Sequence, residues 1–254
     1  MRFWLALALV FAASSAQARV FSFKESGLGM FLRGTGGTSA VGDDPFAKSS
    51  GSDTSVSGKT SYAYSGELGV VFGLGSMVNL RLGAEVIQHH PVKETSGKNS
   101  SDIERFQLDS STFIFNPNLT MEVIFHQEGN TRYFGELGVG NSEVTVENRY
   151  TMTSTGTSEL GVTDFNEKLS ATALSYHVAA GLETLFTDTV TFVAQVGYRI
   201  LTVDSLKYKG DVNNIVSPSG AAKGDKALKN DGTARSLDLS GVFVGVAFRF
   251  WLHF

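Results

Sequence analysis

The most regular stretch of the chain is its last. In Ser236–Phe254 apolar side chains fall on every second position: Val242, Val244, Val246, Phe248, Phe250, Leu252 and Phe254. Phe243, Gly245, Ala247, Arg249, Trp251 and His253 lie between them. Successive side chains of a strand point to opposite faces. One face here is therefore an unbroken apolar stripe, as expected of a strand that lies against lipid.

The same alternation predicts seven earlier strands: Phe21–Gly36, Tyr62–Phe72, Met77–Gln88, Ser111–Phe125, Thr131–Gly140, Ser170–Phe186 and Thr189–Asp204. In the first, Leu28, Met30 and Leu32 share one parity while Phe21, Phe23 and Phe31 share the other. A bulge near Gly27 or Gly29 is the expected reconciliation. Pro117 sits in mid-strand, where it removes a ladder donor, so a bulge or a missing bond is expected there. Short turns (Gly73–Ser76, His126–Asn130, Thr187–Asp188) alternate with long polar segments (Gly37–Ser61, His89–Ser110, Asn141–Leu169, Ser205–Arg235). This pattern predicts an all-β fold, an eight-stranded antiparallel up-and-down transmembrane β-barrel with its long loops at one end. The apolar-face aromatics fall into two bands. Phe72, Phe125, Tyr133, Phe186 and Phe254 lie by the short turns, and Tyr62, Tyr64, Phe113, Phe115, Tyr176 and Tyr198 toward the long loops, as girdles at two membrane interfaces require.

The opposite face carries Glu67, Arg81, Glu85, Glu122, Arg132, Glu136, Glu183, Arg199 and Arg249, interleaved with glycines such as Gly69, Gly83, Gly138 and Gly197. A soluble barrel would turn this face to water, where glycine weakens a strand without benefit. A narrow membrane barrel turns it inward, where small residues leave room for charged side chains. Buried charges must be paired, and Glu with Arg but no Lys favours a closed network. Arg33 would bring the two signs into balance. Glu67 and Arg81, nearly symmetric about the Gly73–Ser76 turn, are the pair expected first.

Composition adds targeting and exclusions. Arg2, an apolar run over Phe3–Ala13 and Ala16-Gln17-Ala18 read as a signal peptide over residues 1–18, leaving 19–254 as the barrel. The chain has 254 residues and no cysteine, hence neither disulfide nor lipoprotein acylation site. A net charge of −4 without a basic run gives no support to a nucleic-acid partner.

On this strand pattern, the alternating loop lengths and Phe254, the chain resembles the small eight-stranded bacterial outer-membrane barrels of the OmpA-barrel, OmpX and OmpW kind. The resemblance implies a place in the outer membrane beside lipopolysaccharide, and a monomeric state. It also implies insertion by the outer-membrane assembly machinery, reading the closing Phe250, Leu252 and Phe254.

Candidate chemistry is sparse. His89-His90 lacks a ligand set of fixed spacing, so no metal and no cofactor is expected. Ser175, His177 and Glu183 share a parity, but Glu183 lies about 20 Å along the strand from His177 at roughly 3.3 Å per residue. The last loop carries Lys207, Lys209, Lys223, Lys226, Lys229 and Arg235, and Asp43-Asp44 lies in the first; both read as solvated polarity. The expected function is non-catalytic: a structural or surface-exposed barrel with adhesion or interaction through its loops. One alternative is a conduit for small apolar molecules; another is a lipid A-modifying hydrolase.

Overall fold

The computed structural model describes residues 22–23, 27–39, 44–48, 62–90 and 92–252; the signal segment, Asp43, His253 and Phe254 lie outside them. Eight antiparallel strands close into a hydrogen-bonded ring. They are β1 (Gly27–Thr38), β2 (Tyr62–Gly73), β3 (Val78–His89), β5 (Glu104–Glu128), β6 (Thr131–Met152), β7 (Phe165–Leu185), β8 (Val190–Val203) and β11 (Gly241–Leu252). The ring closes where Leu28–Gly37 pairs with Phe243–Leu252. Three short strands lie outside the ring: β4 (Val92–Lys98) on β5, β9 (Lys207–Tyr208) on β7, and β10 (Leu237–Asp238) on β8.

Through the lower half of the barrel the apolar parity faces outward. Met30, Leu32, Leu68, Leu82, Leu119, Leu137, Val178, Val196 and Val244 are exposed, Leu68 by 65%, while the neighbouring Glu67 is 2% exposed. Such a surface is unfavourable in water and matches the hydrocarbon of a bilayer, where a closed ring leaves no strand edge unpaired. The protein is a transmembrane barrel of the outer-membrane type. Tyr62, Tyr64, Phe113, Phe115, Tyr176 and Tyr198 are exposed in a band below the loops, and Phe125, Tyr133 and Phe186 in a band by the turns.

β1 departs from expectation. Its register against both neighbours is unbroken over Leu28–Gly37, so no bulge falls at Gly29, and the stretch just before Gly27 lies outside the described residues. Leu28, Met30 and Leu32 face lipid, whereas Phe31 and Phe23 are buried inside. At Pro117 the register holds but two pairs are missing from the β5–β6 ladder, Asn116 with Ser142 and Pro117 with Asn141. These are the pairs that a Pro117 N–H would close. The irregularity in the β5–β6 register lies instead at Phe125, between Ile124 and His126.

The largest departure concerns the loops. About 9–11 residues span a bilayer, yet β5 has 25 residues and β6 has 22. The segments Asn141–Leu169 and His89–Ser110 are thus largely strand. Along β6 the outward residues run Leu137, Val139, then Asn141, Glu143, Thr145, Glu147 and Arg149. The inward ones run Glu136, Gly138, Gly140, then Ser142, Val144, Val146, Asn148 and Tyr150. Polarity inverts at the membrane surface while the parity continues. Below, the sheet is apolar outside and charged inside; above, it follows the rule for a sheet in water. The projecting sheet forms a cap with its own core. Helix α1 (Ser154–Leu160) closes the β6–β7 connection, capped by the Thr153 hydroxyl at Gly156 N–H and by Gly161 at φ 68°.

Candidate functional site

The barrel interior is filled from end to end. Its charged side chains form one connected series, beginning near the short turns with Arg132 on Glu183 at 2.7 Å. Glu183 also takes Arg249 at 2.9 Å, and Arg249 holds Glu122 at 2.5 Å. Glu122 takes Arg81 at 2.8 Å, which reaches Glu136 at 3.1 Å. Arg33 joins Glu136 (3.6 Å) to Glu85 (3.7 Å) and also pairs with Glu67; Arg199 ends the series on Glu85 at 2.6 Å. Five arginines therefore face five glutamates, all buried. Neutral groups take up further carboxylate lone pairs: Asn79 on Glu122, Ser65 and Asn116 on Glu85, Asn118 on Glu67, and Thr191 on Glu183.

The pairing within this series differs from expectation at one point. Glu67 sits opposite Glu85 in the β2–β3 register, and Arg81 opposite Val71. Glu67 therefore takes Arg33 of the neighbouring strand as its close partner, and Arg81 stands 4.0 Å away. Glycine makes the space: a Cβ on Gly83 would lie 1.9 Å from a Glu67 carboxylate oxygen, and one on Gly138 2.0 Å from the His177 ring.

Each lumen arginine also lies over an inward aromatic ring, which sequence reasoning did not anticipate. Arg132 lies over Phe23 (4.4 Å) and Trp251 (5.6 Å), Arg81 over Phe31 (5.1 Å), and Arg249 over Phe134 (5.7 Å). Arg33 and Arg199 share Phe243, at 5.9 and 5.6 Å. Desolvated contacts of this kind contribute roughly 2 kcal/mol each. The off-parity Phe23, Phe31, Phe243 and Trp251 were the available signal. On the closing strand, Phe250 faces outward and Leu252 is half-buried at the end of β11.

Above the charges an apolar layer seals the barrel mouth. Leu206, Tyr208, Ala227, Leu237 and Leu239, from the β8–β11 connection, pack on Ile87, Ile114, Val144, Val146, Leu169, Leu201 and Val203 of the wall. Over it lies a second buried polar cluster. Glu167 accepts from Arg235 at 2.7 Å, Asn148 at 3.0 Å and Tyr150 at 3.2 Å, and Asn214 donates to the Tyr208 hydroxyl at 2.7 Å. Burial, with the Glu167 carboxylate beside it, pushes the Tyr150 phenol well above its ordinary range, so it stays protonated and donates. Burial opposes the Arg235 charge, yet Glu167 raises that pKa overall. Arg235 is thus a buried anchor and not part of a solvated basic loop.

Asp44 is likewise more than loop polarity. It accepts from Lys229 at 2.9 Å and Ser236 at 3.1 Å, and the Lys229 hydrogen bond holds its carboxyl below the usual range. The following Phe46 and Ala47 are buried among Phe106, Leu108, Tyr150, Val162 and Ile215. The Ala47 N–H donates to the Tyr150 hydroxyl at 2.6 Å, and Asn148 donates to the Pro45 carbonyl at 3.3 Å.

Ser175, His177 and Glu183 are not brought together. The Ser175 hydroxyl donates to Asn116 at 3.0 Å, His177 lies 3.2 Å from Thr120, and Glu183 is held by Arg132 and Arg249. His89 ends β3 buried in the lumen, and His126 is exposed by the turns. No cluster suited to a metal ion occurs among the described residues.

No protein-family model and no curated protein matches the chain. Among solved structures it is similar to the outer membrane protein OprG from Pseudomonas aeruginosa, at 12% identity over 90% of this chain and 97% of that one, with a TM-score of 0.46. It is also similar to the outer membrane protease OmpT from Escherichia coli, at 8% identity over 93% and 100%, TM-score 0.49. A third is Ail, the attachment invasion locus protein of Yersinia pestis, at 12% identity over 89% and 100%, TM-score 0.35.

Proposed function

We propose that this outer-membrane barrel is a non-catalytic membrane anchor that holds a rigid, folded cap at the cell surface, where the cap's outer face makes the interactions. The observation that carries this reading is the double filling of the interior. The glutamate–arginine series occupies the membrane level, and the Leu206–Leu239 layer occupies the mouth. Water-filled barrels leave their lumen open and generally have about 16–18 strands. The outer face of the cap carries Glu143, Glu147, Arg149, Asn166 and Lys168 on long paired strands. A fixed polar surface of this kind binds with less ordering cost than a flexible loop. Lipopolysaccharide beside the barrel and the assembly machinery reading Phe250, Leu252 and Phe254 belong to the same reading.

Planar-bilayer recordings of the refolded full-length protein test it. The wild type is expected to be electrically silent, and liposomes carrying it are expected to admit sugars and small apolar solutes no faster than protein-free liposomes. Steady conductance in the wild type, or solute entry faster than through the protein-free bilayer, would make transport the function.

A further inference from the structure

Where the charged series ends, the lumen contains a cavity of about 20 Å³ lined by Ser39, Tyr64, His89, Arg199, Leu239 and Phe243, among others. It lies at the level of the outer aromatic band, between the Arg199–Glu85 pair and the apolar layer. Three of the lining side chains carry a buried polar atom without a hydrogen-bond partner: Ser39 Oγ, His89 Nδ1 and Arg199 Nε. The three residues are 5%, 2% and 9% exposed. Buried polar atoms are nearly always satisfied, by protein or by an occupant, and three orphans around one void point to an occupant. The void holds one small particle, since about 10–15 Å³ on this measure accommodates a water.

We propose that this cavity is a binding site for one small anion of halide size. Arg199 Nε has only a hydrogen to offer, while the Ser39 hydroxyl and the His89 imidazole can each turn a hydrogen toward the void. A halide accepts from all three at once. A water could also satisfy the three, by accepting from Arg199 and donating to Ser39 and His89, so the halide is singled out by the charge of the site.

The electrostatics favour the same occupant. The Arg199 carboxylate partner, Glu85, lies on the membrane-centre side at 2.6 Å, bonded there also by Ser65 and Asn116. On the cap side the cavity meets Ile87 and Leu239, and among the described residues the next buried acid in that direction is Glu167, already paired with Arg235. Among the described residues the series therefore ends on a guanidinium with no unpaired buried acid beyond it, in surroundings of low dielectric where a single charge is felt strongly. The His89 ring is uncharged in this scheme and acts only through its N–H.

The test uses the refolded full-length protein, unfolded thermally at fixed pH and ionic strength in chloride, in bromide and in gluconate, which is too large for the cavity. Halide is expected to raise the midpoint saturably, by about 2–4 °C. Ser39→Ala and His89→Leu, each removing one donor, are expected to keep heat-modifiable migration but flatten the halide response. Crystals grown in bromide are expected to show an anomalous peak beside Arg199. Equal midpoints in chloride and gluconate would overturn the proposal. So would a cavity without anomalous signal, which would mean an ordered water only.

Discussion

Phe46→Ala loosens the cap and leaves the barrel in place. The ring of Phe46 is 1% exposed in a pocket made by Phe106, Leu108, Tyr150, Val162 and Ile215, which belong to three different stretches of the chain. Truncating a buried phenylalanine costs about 3–5 kcal/mol through lost transfer energy and the cavity left behind. Few other contacts replace that anchor. Asp44 holds Lys229 and Ser236 at the partly exposed rim, and Ala47 and Pro45 each make one hydrogen bond. Opening free energies differ between parts of one protein, and the cap shares only its lowest layer with the lumen. Hydrogen exchange followed by mass spectrometry is therefore expected to show faster exchange over residues 205–235 and 148–165. Exchange in β1, β2, β8 and β11 should stay at wild-type rates. Unchanged exchange in the cap would mean that Phe46 fills space without holding the segments together.

Arg249→Ala acts in the other half of the molecule and destabilises the barrel itself. The guanidinium joins Glu122 to Glu183, and both carboxylates are fully buried. Removing one partner of a buried ionic group costs about 3–5 kcal/mol because the partner left behind is uncompensated. Here two carboxylates are left, although Arg81 and Arg132 still contact them. A clear fall in the heat-modification midpoint is expected on gels. Glu122→Ala combined with Arg249→Ala is expected to cost less than the sum of the single changes, since the residues are in direct contact. A midpoint unchanged by Arg249→Ala would show that water, and not the series of pairs, carries the charge balance of the lumen.

The membrane half was legible because each of its strands repeats one simple contrast. Phe113, Phe115, Leu119 and Met121 against Asn116, Asn118, Thr120 and Glu122 leave little doubt about which face meets lipid. The cap was not legible for a related reason. On β6 the apolar residues move from the parity of Leu137 and Val139 to that of Val144 and Val146, so a reading that followed one apolar face stopped at Gly140. The charged and polar outer face of the projecting strands, Asn141, Glu143, Thr145, Glu147 and Arg149 on β6, then looked like loop composition. Tertiary context decided the rest. Arg249 meets Glu122 across the lumen rather than along a hairpin, and Arg235 meets Glu167 at a sequence separation of 68 residues. Spacing in the chain carries no record of such partners. The β2–β3 register, which sets Glu67 against Glu85, depends on turn geometry that symmetry about Gly73–Ser76 did not capture.

The central claim is that one continuous strand serves two solvents, facing lipid below and water above. A nitroxide scan along the outward positions of β6 tests this most directly. Labels replace Leu137, Val139, Asn141, Thr145, Glu147 and Arg149 one at a time in the bilayer-reconstituted protein. Collision with oxygen, which concentrates in hydrocarbon, is expected to dominate at 137 and 139. Collision with a water-soluble nickel chelate is expected to dominate at 145, 147 and 149, with the crossover at 141. Uniform access to the nickel chelate along the whole scan would contradict the membrane barrel. Uniform access to oxygen through 149 would contradict the water-facing cap.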